Sequence, residues 1–596
     1  METIFSYSSL PQGHIRVLQV KRLRSGAVYK LHSVLIDDHL RFRAVSYAWG
    51  SPALTETINC NGKTLSVTSS VHELLSSTII LSLGEELPLW IDAICINQRD
   101  DLEKADQVRK MGPLYSLAVE VVVWLGPAVS DSDLAMETMR ALSGNITLFS
   151  HENLSEYPNR KDTLQKYGLA NTDDQIPCAL GSLFCRKYFQ RLWVFQEVVL
   201  ARRRQVVCGS KMLTWDEFMD GTRAIARTSI FSPSAVNYPN LSSGVQAIMG
   251  VQEMNGAVEA KRSNREAFFK SVWLLDIAQR KAVTDPRDRV YGMLGLASSH
   301  LRERISVDYS QQGPSASLRL YIDCGKACIE EDSSLGLLCL LSGKEKNPGL
   351  PSWCPDFDAP QNRKLYDPPE WKAGIGTAPE LENLRGAWFE PDCDDLFAPG
   401  CSVDVVCEVV SCTFCWSDME QHYDAPSMED ATKNLAWHNE CVALFRQTYP
   451  QHGEIPISYV LTLCEGSLRQ YWDNPYMMHQ AYNRNVSIWQ DIQESMPHRE
   501  ADEYVMAAAY MFFSRLIDLS RGRKFFSTKS GRIGMGPPET QAGDVVSILY
   551  GAGPLYLLRY KLESTQILGN TYMHDLMNLD ELPEEAKGEN VIIVIN

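Results

Sequence analysis

Apolar residues fall in short bursts over the first 210 positions, and their spacing assigns alternating strands and helices. Arg43-Ala44-Val45-Ser46-Tyr47 is a compact β-branched and aromatic run that stops at the breaker cluster Trp49-Gly50-Ser51-Pro52. Ile58-Asn59-Cys60 and Lys63-Thr64-Leu65-Ser66-Val67 flank Asn61-Gly62, a dipeptide suited to a two-residue hairpin turn in which both positions take positive φ. Ser69 or Ser70 then caps a predicted helix carrying Val71, Leu74, Leu75 and Ile79 at helical spacing. Leu87-Pro88-Leu89-Trp90-Ile91-Asp92 reads as a second buried strand. Asp100 or Asp101 caps a helix running to about Ala118, with Val108, Met111, Tyr115 and Ala118 on one stripe. Val121-Val122-Val123-Trp124-Leu125-Gly126 is apolar almost without interruption, as expected of a strand buried on both faces. Strands alternating with helices in this way predict a parallel α/β core.

The texture then changes. From about Asp131 to Pro177 the chain is polar, helical or loop-like, and Cys185 to Ala201 reads as one helix with Phe189, Leu192, Phe195, Gln196 and Val199 near one face. Residues 206–345 read as mostly helical, including a helix from Asp288 to Ala297 that follows Pro286. Pro351 to Phe357 and the alternating Val403 to Val410 read as β, 427–521 as helical, and Asp544–Leu549, Leu555–Tyr560, Thr565–Leu568 and Val591–Ile595 as β again. The expected organisation is an α/β domain over 1–210 with its core at 42–200, a helical region over 211–345, a small β-rich domain made of 346–426 with 522–596, and a helical insertion over 427–521.

Charge narrows the function. With 57 Lys+Arg against 74 Asp+Glu the net charge is −17, which argues against a general nucleic-acid binder. The short basic clusters Lys21-Arg22-Leu23-Arg24 and Arg202-Arg203-Arg204 read as solvated faces. No stretch reaches the roughly 18 apolar residues of a membrane span, and the N-terminus lacks a signal-peptide pattern, so a cytoplasmic setting with reduced thiols is expected for the 16 cysteines. Cys412-Thr413-Phe414-Cys415 has no second matching pair, so no metal is expected, although Cys401 and Cys407 lie nearby. Gly531-Arg532-Ile533-Gly534-Met535-Gly536 runs into Pro537-Pro538 rather than a helix, which favours turn glycines over a phosphate cradle.

Ligand sites of open α/β sheets form where loops leave the C-terminal strand ends. The first strand delivers Ser46, Tyr47 and Trp49 there, and the second delivers Asp92 followed by Cys95, Asn97 and Gln98. The helix over 185–201 sets Trp193 and Glu197 four apart, on one face. A carboxylate on an apolar helix face has to be paired, hydrogen-bonded or in use. The residues alone leave two readings open: a site, or an ion pair of Glu197 with Arg191 or Arg202 beside core tryptophans. Asp92 likewise suits a loop-bracing carboxylate.

Ala44 to Gly50, Leu89 to Gln98, Glu103-Lys104 with Gln107-Val108, Met111 and Tyr115, Val123 to Gly126 and Tyr188 to Glu197 together resemble the fungal heterokaryon incompatibility (HET) domain. Asp285-Pro286-Arg287-Asp288 with Tyr291 to Leu296 resembles a segment that often follows that domain. Gly531 to Gly536, Gly543-Asp544 and Gly569 to His574 resemble the C-terminal part of long family members. The resemblance implies non-self recognition and cell death when incompatible partners fuse. HET domains are in turn distantly similar to Toll/interleukin-1 receptor (TIR) domains. Trp193-x-x-x-Glu197 is similar to the Trp-Cys-Leu-x-Glu helix of plant TIR domains, here with Val194-Phe195-Gln196 between. That likeness implies a TIR-like parallel-sheet α/β fold for the N-terminal domain, while the pattern along the chain adds a mainly helical region and a small β-rich C-terminal domain with a helical insertion. It also implies Glu197 as the carboxylate of NAD cleavage, with Ser46, Tyr47, Trp49, Asp92, Asn97, Gln98 and Trp193 forming a substrate cleft.

Two functions follow. One is a signalling module that self-associates or binds protein partners. The alternative is a TIR-like NAD glycohydrolase, for which NAD is substrate rather than cofactor.

Overall fold

The computed structural model describes residues 3–24, 26–129, 131–144, 175–227, 241–265, 269–311, 313–332, 334–341, 346–359, 386–414, 427–466, 475–494, 509, 512–513, 515–517, 519–562, 564–577 and 591–596. Most of the polar stretch between Asp131 and Pro177 lies outside them, as does Cys415. Contacts divide the chain into two compact units. The first comprises Met1–Lys270, Lys281–Ser298 and Ser306–Gln312; the second comprises Ser271–Arg280, Ser299–Ile305 and Gly313–Asn596.

The first unit is built on one sheet. In chain order its strands are β1 (His14–Leu23), β2 (Gly26–Leu35), β3 (Arg43–Tyr47), β4 (Glu56–Cys60), β5 (Lys63–Val67), β6 (Leu89–Trp90), β7 (Glu120–Trp124), β8 (Arg204–Cys208) and β9 (Lys211–Thr214). They lie in the order β5-β4-β2-β1-β6-β3-β7-β8-β9. The centre is parallel: β3 pairs with β6 and β7, and β7 with β8. Beyond it β1 pairs antiparallel with β6 and β2 on one side and β8 with β9 on the other, while β2 meets β4 in parallel at Tyr29 and Cys60. The parallel sheet expected from the sequence is therefore a mixed one. Its β8–β9 hairpin occupies a stretch, 204–214, that overlaps the region read as mostly helical. In β3 and β7 every residue after the first is buried, which is why both read as near-continuous apolar runs.

The Asn61-Gly62 turn forms as its chemistry requires, with φ of 52° and 73°. Asn61 also accepts from the Leu31 amide and donates to the Leu31 carbonyl, at 3.0 and 2.8 Å, tying the hairpin to β2.

Helices cover the sheet: α1 (Ser69–Ser76), α2 (Thr78–Glu86), α3 (Asp92–Cys95), α4 (Asp101–Leu117), α5 (Ser132–Ser143), α6 (Gln175–Phe184), α7 (Trp193–Leu200), α8 (Trp215–Arg227) and α9 (Leu241–Arg262). The cap of α1 is Thr68, whose hydroxyl accepts from Val71, rather than Ser69 or Ser70. Ser77 then breaks the helix and caps α2, leaving Ile79 half-buried. Asp100 caps α4 through the amides of Leu102 and Glu103, both at 3.1 Å. The second strand shrinks to Leu89–Trp90, because Asp92 already opens α3.

The helix read from Cys185 to Ala201 is broken. A 3-10 turn spans Lys187–Gln190, and α7 starts only at Trp193. The cause is tertiary: Gln190 accepts from the Ala282 amide at 2.6 Å and the Leu192 amide donates to the Ala282 carbonyl at 3.1 Å, in place of helical bonds. Lys21 to Arg24, Arg202 and Arg203 are exposed as expected, but Arg204 is buried and donates to the Val198 and Val199 carbonyls at 2.6 and 3.1 Å. There it caps the C-terminus of α7.

The second unit's first helices are α10 (Ser271–Arg280), α12 (Ser299–Arg304) and α13 (Pro314–Asp332); the intervening α11 (Asp288–Tyr291), in the first unit, is all that forms of the helix expected to reach Ala297. Pro351 to Phe357 forms turns rather than a strand, with Trp353, Cys354 and Phe357 buried.

The C-terminal strands are β10 (Trp388–Phe389), β11 (Leu396–Val409), β12 (Lys524–Thr528), β13 (Ile533–Gly536), β14 (Val545–Leu549), β15 (Leu555–Tyr560), β16 (Thr565–Thr571) and β17 (Val591–Ile595). They order as β13-β12-β11-β14-β15-β16, with β10 and β17 also on β11. Met535 and Tyr572 exchange both backbone bonds, at 2.9 and 3.0 Å, joining the end of β13 to the end of β16 and closing the sheet on itself. Gly531 turns the chain with φ +75°, whereas Gly534 and Gly536 are strand residues. A Cβ on Gly534 would stand 2.4 Å from the Phe526 ring. Between β11 and β12 the chain forms α14 (Met428–Thr448), α15 (Ile457–Leu463) and α16 (Pro475–Gln493). Phe525 packs with these helices while its neighbour Phe526 points into the strand-lined core, the two-residue alternation of a strand serving two cores.

Candidate functional site

At the C-terminal end of β3, Ser46 and Tyr47 are buried and the chain leaves through Trp49 and Gly50. Gly50 has φ +67°, and a Cβ there would lie 2.3 Å from Ser70 Oγ, so the exit admits no side chain. Asp92 follows β6 and opens α3. Arg191 sits in the break before α7, and Glu197 is mid-helix.

These elements converge. The Ser46 hydroxyl donates to Glu197 Oε2 and lies 2.9 Å from the Tyr188 hydroxyl. Tyr115, from α4, packs edge-on against Trp90 and donates to the Val45 carbonyl at 3.4 Å, beside the same carboxyl. Arg191 donates to the Tyr47 carbonyl, its guanidinium 5.9 Å from the Trp49 ring. Trp49 Nε1 donates to Asp92 Oδ2 at 2.7 Å, and the Ala93 amide donates to Asp92 Oδ1 at 2.8 Å. The Tyr47 hydroxyl faces Asp92, buried without a hydrogen bond of good geometry.

Two carboxyls here share the field of one guanidinium. Burial raises Asp92 above the usual carboxylate range, against the pull of Arg191 and the Trp49 bond. Glu197 is pushed up to about 7, first by burial and then by the Asp92 charge; Arg191 and the Ser46 bond only partly offset this. Glu197 is 2% exposed. It can hold or release a proton near neutrality, and in this conformation the protein encloses it. Glu197 therefore forms no ion pair with Arg202, which is exposed, and reaches Arg191 only through space.

The sequence-derived cleft is gathered in part: Ser46, Tyr47, Trp49, Asp92 and Glu197 come together. Trp193 does not join them. Its Nε1 donates to Asp288 Oδ2 at 3.0 Å, away from the Ser46 bond of Glu197, although helical spacing puts the two residues on one face. Asn97 and Gln98 brace the turn after α3. The Asn97 amide donates to Glu103 at 2.7 Å and Gln98 Nε2 to the Asp92 carbonyl at 3.1 Å. Glu103 is itself held by buried Arg16 at 2.5 Å. Arg191, Tyr115 and Tyr188 complete the cluster. A polar atom on each otherwise core-forming aromatic was the available signal, since buried hydroxyls require partners.

Among the described residues no group of His, Cys, Asp and Glu could hold a metal ion, and no helix is long and apolar enough to cross a membrane. Cys401 is buried among the strands, Cys407 is exposed, and Cys412 Sγ donates to Glu440 at 3.0 Å.

Comparison with known proteins gives three matches. Residues 42–197 match the family described as heterokaryon incompatibility protein (HET), and residues 465–594 match the Het-6 beta-barrel domain, consistent with the closed sheet above. Along its length the chain is 24% identical to heterokaryon incompatibility protein 6, OR allele, of Neurospora crassa, covering 99% of this chain and 98% of that protein. No solved structure matches.

Proposed function

As a fungal protein carrying a HET domain and a Het-6 beta-barrel domain, this chain, we propose, acts in non-self recognition and cell-death signalling, with the N-terminal unit as the signalling module. The observation that carries this reading is the collinear likeness over 98% of a heterokaryon incompatibility protein, which spans both matched domains and the stretch between them. We further propose that the module acts in the cytoplasm by self-association or by binding a partner protein. The enclosed Glu197 supports this mode, because its hydrogen bonds serve the interior rather than a substrate.

Removing the chain from one of two incompatible strains tests the biological role. Fused cells are expected to survive, and undiminished death after fusion would overturn the reading. An inducible dimerising tag on the full chain tests the mode of action. Forced pairing is expected to reduce colony formation in wild type and in Glu197→Gln alike.

A second reading is a TIR-like fold with NAD glycohydrolase activity. The convergence of Glu197 with Ser46, Tyr47, Trp49 and Asp92 at the strand ends favours it. Cleavage of the nicotinamide bond builds positive charge on the ribose, which a carboxylate there would stabilise. NAD turnover by the purified full chain, lost in Glu197→Gln together with killing, would establish this reading over the scaffold.

A further inference from the structure

The segment that follows α10 is outside the sheet, yet its contacts concentrate on the turn and helix that carry Arg191 and Glu197. Lys281 Nζ donates to the Phe189 carbonyl at 2.7 Å, and Ala282 brackets Arg191 through its bonds with Gln190 and Leu192. Asp288 accepts from Trp193 at 3.0 Å and from the Tyr309 hydroxyl at 2.7 Å. The Gly295 amide donates to Gln196 Oε1 at 3.2 Å, the residue next to Glu197. Gly295 fits there only without a side chain, since a Cβ would stand 2.6 Å from that oxygen and 3.0 Å from the Gly112 Cα of α4.

The segment is stiffened within itself. Arg287 binds the Asp285 carboxylate and the carbonyls of Asp308 and Gln311, at 3.1 and 2.7 Å for the carbonyls. Its guanidinium lies 5.0 Å from the Tyr309 ring, and Lys104 Nζ of α4 lies 3.8 Å from the same ring. In contrast, α7 has 8 residues and no side-chain N-cap. A two-turn helix is marginal by itself, so its position follows from what grips its first turn.

We propose that Lys281–Ser298 with residues 306–311 is a regulatory strap that sets the position of Arg191 and Glu197. A shift of the strap is transmitted to the buried cluster, and a change in the cluster is transmitted back. The strap is a suitable input because its two pieces are joined to 271–280, 299–305 and 313 onward, which belong to the second unit. Whatever event moves those residues pulls on the strap through the covalent chain. In this device Asp288, Tyr309 and Gly295 are positioning residues.

Hydrogen exchange of the full-length protein tests the strap, whether or not the module signals death. Tyr309→Phe removes one bond to Asp288 while leaving a ring beside Lys104 and Arg287. It is expected to speed exchange about fivefold to tenfold in α7 and also at residues 46–50, at the end of β3 and its exit, with β14–β16 unchanged. Coupling is reciprocal, so Ser46→Ala, remote from the strap, is expected to speed exchange at 282–296 by a similar factor. Loosening confined to 281–311 in Tyr309→Phe, or no change at 282–296 in Ser46→Ala, would overturn the proposal. Uniformly faster exchange over the whole chain in either variant would count against it too, because a local device loosens locally.

Discussion

Burial holds the Glu197 carboxyl at about 7, against an ordinary value of 4.5, so between those values the folded chain binds more protons than the unfolded one. The stabilisation from this group is complete below 4.5 and is lost as pH rises through 7, on the order of 3 kcal/mol. Asp92 and Asp288 are raised in the same direction by burial. The N-terminal unit is therefore expected to gain stability as pH falls from about 8 to about 6, read from exchange of the β3 and β7 amides. Glu197→Gln, which retains the neutral form, is expected to flatten that slope. An unchanged slope in the variant would assign the titration to other groups. At this scale the sequence is informative about which residues are costly to bury and silent about which partners relieve them. Ser46, Asp92 and Glu197 were legible as candidates, but Trp193 was misdirected by helical spacing, because Asp288 lies 95 positions further along and its hydrogen bond competes for the indole.

Elements were legible where their signals are local. The Asn61-Gly62 turn, the Asp100 cap and the strands β3 and β7 follow from dihedral requirements, side-chain oxygens and burial on both faces. The continuous helix expected over 185–201 failed because Ala282 takes the backbone bonds of Gln190 and Leu192, an interaction no local window contains. The β1–β2 hairpin went unassigned, since buried Arg16, neutralised by Glu103, interrupts the apolar pattern of β1. Two glycines separate local strain from packing. At Gly62, φ is +73° and a Cβ would meet nothing within 4 Å, so Gly62→Ala is expected to cost about 1 kcal/mol from backbone strain alone. At Gly534 the added methyl meets Phe526, so Gly534→Ala is expected to cost about 1–3 kcal/mol by overpacking. Thr68→Ala, which removes the cap of α1, is expected to cost about 1 kcal/mol. Urea midpoints of the three variants check the order, and Gly62→Ala proving the most damaging would contradict it.

Across the whole molecule, the alternation of α/β, helical and β-rich texture was readable, but the way the chain divides between its compact units was not, because composition does not record which helix packs on which. The first unit continues through α8, packed on α5, and α9, packed on α6 and α7. A fragment ending at residue 210 would leave those faces uncovered. It is expected to be recovered aggregated or with exposed apolar surface, measured by dye binding, whereas the full chain remains monodisperse. A well-folded 1–210 fragment would contradict that expectation. The strap adds a constraint in time as well as in space. Roughly a hundred residues separate Leu200 from Gln312, and at about 5–20 residues per second a ribosome takes on the order of ten seconds to add them. The nascent sheet can pair its strands during that interval, but the helix bearing Glu197 is gripped only after the strap emerges, so the cluster is among the last parts of the N-terminal unit to be fixed during synthesis.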